Sequence, residues 1–159
     1  MLYIHDEDNI NNVINYEHSK KYKHTVVIID DEYTNRTILG ETIQNVSPLI
    51  RVELFANPIE ALEWMESHPV DLIYTDYNMK QMSGLMVLKK IRSTPKLKKT
   101  PVIIISSILE KKLRYQLLED GALDFVNKPI DLYEIAIRCK NILQLVSSHE
   151  VEPNREEIS

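Results

Sequence analysis

The order of short apolar segments along the 159-residue chain predicts a three-layer α/β domain. We expect a doubly wound (βα)5 fold with a five-stranded parallel sheet. Runs at residues 26–29, 72–75 and 102–105, which are apolar except for Thr75, are typical of strands that helices cover on both faces. Segments with helical spacing of apolar residues separate these runs. A helix between consecutive strands forces the strands to run parallel, and right-handed connections put helices on both faces of the sheet.

The five predicted strands differ in polarity. They cover residues 26–29, 50–55, 72–75, 102–105 and 123–126. The second strand alternates apolar residues with Arg51 and Glu53, which predicts that one of its sides is polar. The first, third and fourth strands lack this alternation, so we expect helices to cover both of their faces.

The five predicted helices carry local start and stop signals. They cover residues 33–46, 57–67, 84–92, 110–119 and 131–146. Pro48 lies just beyond the first helix, where a stop signal belongs. Asn57 caps the second helix and Pro58 stands in its first turn. Gly121 ends the fourth helix, and the apolar stripe of the last one includes Cys139.

Two polar segments flank the predicted domain, which covers residues 24–146. In the N-terminal segment, residues 1–23, the apolar spacing around residues 10–14 is compatible with one short amphipathic helix. Either this segment is a partly ordered tail, or its helix docks on the domain or on a second copy. Residues 147–159 form a polar C-terminal tail or the start of a linker.

Composition excludes several classes of function. The net charge of −5 argues against a domain that binds nucleic acid by neutralising phosphates. No apolar run is long enough to span a membrane, and the acidic N-terminus lacks the features of a secretory signal. Cys139 is the single cysteine, so no internal disulfide can form. These features predict a cytoplasmic protein with no direct contact to membrane or nucleic acid.

Polar side chains follow four of the predicted strands. Asp30 and Asp31 follow the first strand, Asp76 the third, Ser106 the fourth, and Lys128 comes shortly after the fifth. The carboxyl ends of parallel strands share one edge of the sheet, where ligands bind. Clustered carboxylates repel one another and raise each other's pKa unless a cation holds them, and an oxygen-only set suits Mg²⁺. A carboxylate can attack phosphorus while an ammonium group pairs with a phosphoryl oxygen, so the cluster predicts phosphoryl transfer onto an aspartate.

Four segments resemble the receiver domain of bacterial two-component response regulators. They are residues 27–32, 76–84, 105–107 and 121–129, and their order and spacing agree with that family. The resemblance covers residues 24–146 and implies the flavodoxin-like fold shared with the chemotaxis response regulator. It also implies a signal-transduction phosphoprotein that catalyses only its own phosphorylation and dephosphorylation.

The resemblance implies a role for each matching residue of the acidic site. Asp76 would carry the aspartyl phosphate. Asp30, Asp31 and the backbone carbonyl of Asn78 would hold Mg²⁺ together with Asp76. Lys128 would pair with the phosphoryl group. The phosphodonor would be a histidine kinase or a phosphotransfer protein.

The resemblance also implies a switch. Ser106 would move toward the phosphoryl group, Phe125 would turn inward, and the bond before Pro129 would be cis. The fourth helix, fifth predicted strand and fifth helix would then present a changed face to a downstream partner or to a second copy in a homodimer. One departure from the family pattern is Lys80, which stands where the family often has proline.

The alternatives belong to other classes of protein. The segment from Asp30 to Thr34 partly resembles the first-strand motif of haloacid-dehalogenase-like phosphohydrolases, which would make Asp30 the nucleophile. That class needs an aspartate where Glu32 stands and a later pair of aspartates, and the sequence has neither. A nucleotide-binding module is disfavoured because the chain has only three glycines and no glycine-rich loop.

Overall fold

The computed structural model describes residues 2–5, 22–107 and 110–149, which form a parallel sheet flanked by helices. The strands are β1 Leu2–His5, β2 His24–Ile29, β3 Ile50–Phe55, β4 Leu72–Asp76, β5 Val102–Ser106 and β6 Asp124–Asn127. The helices are α1 Tyr33–Gln44, α2 Pro58–Ser67, α3 Gly84–Ser93, α4 Lys111–Glu119 and α5 Leu132–His149. The α/β class and the doubly wound arrangement are therefore confirmed.

The strand order β1-β3-β2-β4-β5-β6 puts the topological switch point at β2. The chain leaves β2 on one side to form β3 and returns on the other side to form β4, so the carboxyl ends of β2 and β4 adjoin. Helices α1 and α5 pack on one face of the sheet, and α2, α3 and α4 pack on the other. This topology leaves a crevice at the carboxyl edge beside β2 and β4.

The predicted count of five strands is wrong, because residues 2–5 add a sixth strand. This strand, β1, runs parallel to β3 at the edge of the sheet. With β1 in place, Glu53 on the predicted polar side of β3 is fully buried, so the prediction of a polar side is wrong there. His5 of β1 and Arg51 both bind the carboxylate of Glu53. A stretch of four residues is too short to reveal such pairing, which depends on the distant partner strand.

The last helix is longer than predicted. Helix α5 continues to His149, beyond the predicted end at residue 146. The hydroxyl of Ser147 donates to the carbonyl of Leu143 at 3.1 Å and lies 3.0 Å from Nε2 of His24, so this last turn contacts the start of β2. The predicted helix around residues 10–14 and the tail from residue 150 lie outside the described residues. None of the helices in the described ranges is long and apolar enough to cross a bilayer.

Candidate functional site

Three carboxylates meet at the switch point of the sheet. Asp30 directly follows β2, Asp31 comes next, and Asp76 is the last residue of β4. One oxygen from each lies within 4.8 Å of the others. Asp30 and Asp76 are only 5% and 4% exposed, whereas Asp31 is half-buried. The cluster predicted from the strand ends is therefore present as a geometric unit.

Lys128 supplies the positive charge of this cluster. Its backbone N–H donates to the carbonyl of Ser106 at 3.0 Å, which ties the segment after β6 to the end of β5. Its ammonium nitrogen lies 2.7 Å from Oδ1 of Asp76 and 3.8 Å from Oδ2 of Asp30. The shorter distance makes Asp76 the primary partner of Lys128.

Burial dominates the titration of the two enclosed carboxyl groups. It raises the pKa of Asp30 to about 6, although the N–H of Glu32, which donates to Asp30 at 2.8 Å, opposes the rise. Burial also raises the pKa of Asp76 against the opposing effect of Lys128. Burial lowers the pKa of Lys128, but its hydrogen bond to Asp76 and the nearby negative charges outweigh this and raise it overall. A cation would relieve the crowding of negative charge.

The remaining predicted residues surround the acidic cluster. Asn78 is exposed, and its backbone N–H donates to the carboxylate of Asp76. Ser106 is buried as the last residue of β5. Phe125 is half-buried, and the bond between Lys128 and Pro129 is cis, as the resemblance implied.

Two arginines near the site were missed at the sequence level. Arg36 is 3% exposed, and its Nη1 donates to the backbone carbonyl of Asp30 at 2.7 Å. The signal for Arg36 is its position on the buried stripe of α1, where a charged residue needs a partner. Arg114 lies with its guanidinium carbon 4.4 Å from the ring centroid of Phe125. No sequence pattern predicts that contact, because it joins α4 to β6 across space.

A polar cavity of about 570 Å³ opens beside the acidic cluster. Asp31, Lys80 and Arg36 line it on the domain side, and His5 of the added strand lines it from the sheet edge. The backbone N–H of Lys80 donates to Oδ2 of Asp31 at 3.1 Å. Sequence reasoning marked Lys80 only as a departure from a family pattern and did not foresee this contact.

The donor set of the cluster fits a hard divalent cation. The three side chains offer carboxylate oxygens, and nitrogen or sulfur ligands are absent from this group. Oxygen ligands of this kind suit Mg²⁺ or Ca²⁺. Three carboxylates facing one ammonium group also leave an excess of negative charge when all are ionised.

Comparison with known proteins identifies the family and agrees with the fold. A sequence model of the response regulator receiver domain matches residues 26–140. The cyclic di-GMP phosphodiesterase response regulator RpfG of Xanthomonas campestris pv. campestris is 38% identical over 125 residues, which are 79% of this chain and 33% of RpfG. The two-component response regulator ORR5 of Oryza sativa subsp. japonica is 33% identical over 120 residues, 75% of this chain and 88% of ORR5.

A solved structure supports the fold alone. The chemotaxis protein CheY4 of Vibrio cholerae superposes with a TM-score of 0.69 at 24% identity, covering 75% of this chain and 98% of CheY4. Fold and site together define a doubly wound α/β domain with an acidic cluster at its switch point. The chain belongs to the response regulator receiver domain family, and it is a receiver domain of the two-component type. This membership gives the haloacid-dehalogenase alternative no support. The chain spans only a third of the length of RpfG.

Proposed function

We propose that this receiver takes a phosphoryl group onto Asp76 from a histidine kinase or a phosphotransfer protein. The observation that carries the proposal is the position of Asp76, which is buried, bonded to Lys128 at 2.7 Å and within 4.8 Å of two further carboxylates. Asp30 lies farther from the ammonium nitrogen of Lys128, at 3.8 Å, and is therefore the less favourably placed of the two buried carboxylates.

The acidic cluster is the proposed Mg²⁺ site. Asp30, Asp31 and Asp76 would hold the ion with their side chains, and Asn78 would add its backbone carbonyl. When bound, Mg²⁺ neutralises negative charge on the transferred group. The support is the set of hard oxygen donors within 4.8 Å and their crowded charge.

Asp76, Lys128 and Ser106 would contact the phosphoryl group during the transfer. An oxygen of Asp76 forms a bond to phosphorus while the P–N bond of a phosphohistidine donor breaks, and the departing imidazole nitrogen keeps the electron pair. Lys128, already beside Asp76, pairs with a phosphoryl oxygen as a point charge. Ser106 would donate a hydrogen bond from its hydroxyl group to another phosphoryl oxygen.

Phe125 and Ser106 form the proposed switch. The guanidinium group of Arg114 over the ring of Phe125 holds this ring in a half-buried position. Inward rotation of Phe125 toward Ser106 would break that contact and change the surface of α4, β6 and α5. Large apolar side chains are exposed there, including Tyr115 at 55% and Tyr133 at 78%. This face is the proposed contact for a second copy of the chain. Light scattering with and without a beryllofluoride phosphate mimic would show whether the molar mass of the protein in solution changes.

The direct test is to map the phosphorylated residue. The protein is incubated with Mg²⁺ and acetyl phosphate, and the adduct is located by mass spectrometry. We expect a Mg²⁺-dependent adduct on Asp76 that Asp76→Asn abolishes, while Glu119→Gln, an exposed carboxylate on α4, leaves it unchanged. An adduct on Asp30 in the wild-type protein, or labelling that persists in Asp76→Asn at the same rate, would contradict the proposal.

A further inference from the structure

A cavity of about 530 Å³ lies at the amino-terminal edge of the sheet. Its walls come from the start of β2, from the loop between α1 and β3, and from the second half of α5. The acidic cluster lies at the opposite edge, where β2 and β4 end. The cavity is therefore separate from the proposed site of phosphorylation, and its volume is typical of sites that bind small molecules.

Hydrogen bonds hold the walls of this cavity together. The backbone N–H groups of Lys23 and His24 both donate to the carbonyl of Leu49, at 2.8 and 3.2 Å. The N–H of Leu49 donates to the hydroxyl oxygen of Ser47 at 3.1 Å, which shapes the loop between α1 and β3. Oγ of Ser147 lies 3.0 Å from Nε2 of His24 and so joins α5 to β2. These bonds fix the three walls relative to one another.

The lining combines apolar side chains with positive charge. The apolar part consists of Val46, Leu49, Ile50 and Leu143. Lys23 and Lys140 are exposed, so their ammonium groups stand in water at the rim. His24 also lines the cavity; its Nδ1 lies 3.9 Å from Oδ2 of Asp71, which is not part of the lining. Apolar walls with a few charged groups are typical of a site for a small molecule that has a charged end.

Charge sets this cavity apart from four other cavities in the described part of the chain. Each of those four has at least one carboxylate in its lining, such as Asp31, Glu63, Asp71 or Asp131. The described residues that line the cavity beside α5 include two lysines and no carboxylate. The chain as a whole has a net charge of −5, so this local excess of positive charge runs against its composition. An anion therefore meets attraction here and repulsion at the other cavities.

We propose that this cavity binds a small organic anion with an apolar body, such as a medium-chain carboxylate. The anionic group pairs with Lys23 and Lys140 at the rim, and the apolar body packs against Leu49 and Leu143. The ligand contacts α5, β2 and the loop between α1 and β3 at the same time, so it holds the end of α5 against the sheet. The proposal does not depend on phosphorylation of Asp76.

Octanoate and octylammonium are matched probes, because they carry the same alkyl chain and opposite charges. The ¹⁵N-labelled full chain is titrated with each probe at neutral pH, and the amide signals are followed in ¹H–¹⁵N spectra. With octanoate we expect saturable shifts at the amides of His24, Leu49 and Leu143. Octylammonium should bind about tenfold more weakly, because the two lysines repel it. Hexanoate, which is two methylene groups shorter, should also bind about tenfold more weakly than octanoate.

Substitutions at the rim and in the wall separate the charge from the apolar contact. Lys23→Gln and Lys140→Gln should each weaken octanoate binding by about two- to fivefold, whereas Lys112→Gln, an exposed lysine on α4, should leave it unchanged. Leu49→Ala shortens the apolar wall and should weaken binding by about three- to tenfold. Leu118→Ala on α4 is its control. Leu49 and Leu118 are 46% and 43% exposed, so we expect both alanine variants to fold.

Several results would overturn the proposal. Octanoate that causes no saturable shift at the amides of His24, Leu49 and Leu143 would refute binding. Equal affinity for octanoate and octylammonium, or unchanged affinity in both lysine variants, would mean that charge does not select the ligand. Shifts centred on Leu123 or on Asp76 would place octanoate in another cavity, and the assignment to this one would be wrong.

Discussion

Asp30→Asn is expected to stabilise the metal-free protein at neutral pH. Burial raises the pKa of Asp30 to about 6 from an ordinary value of 3.8, so the folded state resists ionisation of this carboxyl group. A difference of about two pKa units corresponds to about 3 kcal/mol. When folding raises the pKa of a group, that group's contribution to stability is fully present below its pKa in the unfolded state. The contribution is lost as the pH rises through its pKa in the folded state. At pH 7 the wild-type protein therefore lacks stability that the amide variant regains.

Urea unfolding in EDTA, followed by circular dichroism, measures the difference. The free energy of unfolding of Asp30→Asn should exceed that of wild type by about 3 kcal/mol at pH 7, and the excess should fall to about half at pH 5. In thermal unfolding this corresponds to a melting temperature about 6–12 °C higher at pH 7. Glu119→Gln replaces an exposed carboxylate and should change stability by less than about 0.5 kcal/mol.

Saturating Mg²⁺ should reverse the ranking. A cation bound to the native state stabilises wild type in proportion to its affinity, and the variant lacks one expected ligand. The reasoning would be refuted if Asp30→Asn were no more stable than wild type in EDTA at pH 7, or if the excess failed to shrink on acidification. The first result would mean that the ionised carboxylate at the end of β2 is better solvated than its burial of 95% implies.

Three further outcomes test other parts of the structure. Because protonation of Asp30 competes with Mg²⁺, the apparent association constant measured by calorimetry should fall about tenfold between pH 7 and pH 5, and a flat profile would contradict this. Gly84→Ala should destabilise the protein by about 1–3 kcal/mol in urea unfolding, because a Cβ there would lie 2.6 Å from the backbone oxygen of Asp76. An unchanged unfolding midpoint would contradict this, since it would mean that the loop between β4 and α3 moves freely. His5→Ala should lower the free energy of unfolding by about 1–3 kcal/mol, because it removes a partner of a buried carboxylate. It should also change the fluorescence of Trp64, whose ring lies 5.9 Å from that of His5. Unaltered fluorescence and stability would contradict the docking of β1.

The sequence determined the fold class and the residues gathered at the acidic site. Continuous apolar runs with helices between them require a parallel sheet, and a parallel sheet brings all carboxyl ends of its strands to one edge. For that reason Asp30, Asp76 and Lys128 could be grouped from their positions after the strands alone. The cap of α2 was equally local, since the side chain of Asn57 accepts the N–H of Ile59 at 2.9 Å.

Only the tertiary structure decided the contacts between segments that are distant in the chain. Residues 2–5 form a strand because β3 offers a free edge and a buried carboxylate that His5 can bind, and neither feature is encoded within four residues. Nη1 of Arg36 donates to the main-chain carbonyl of Asp30, and the main-chain N–H of Lys80 donates to Asp31. The main-chain partner in each of these bonds leaves no trace in residue type. Periodicity therefore predicts which elements form, whereas the pairing of edges and the hydrogen bonds around a site depend on how those elements pack.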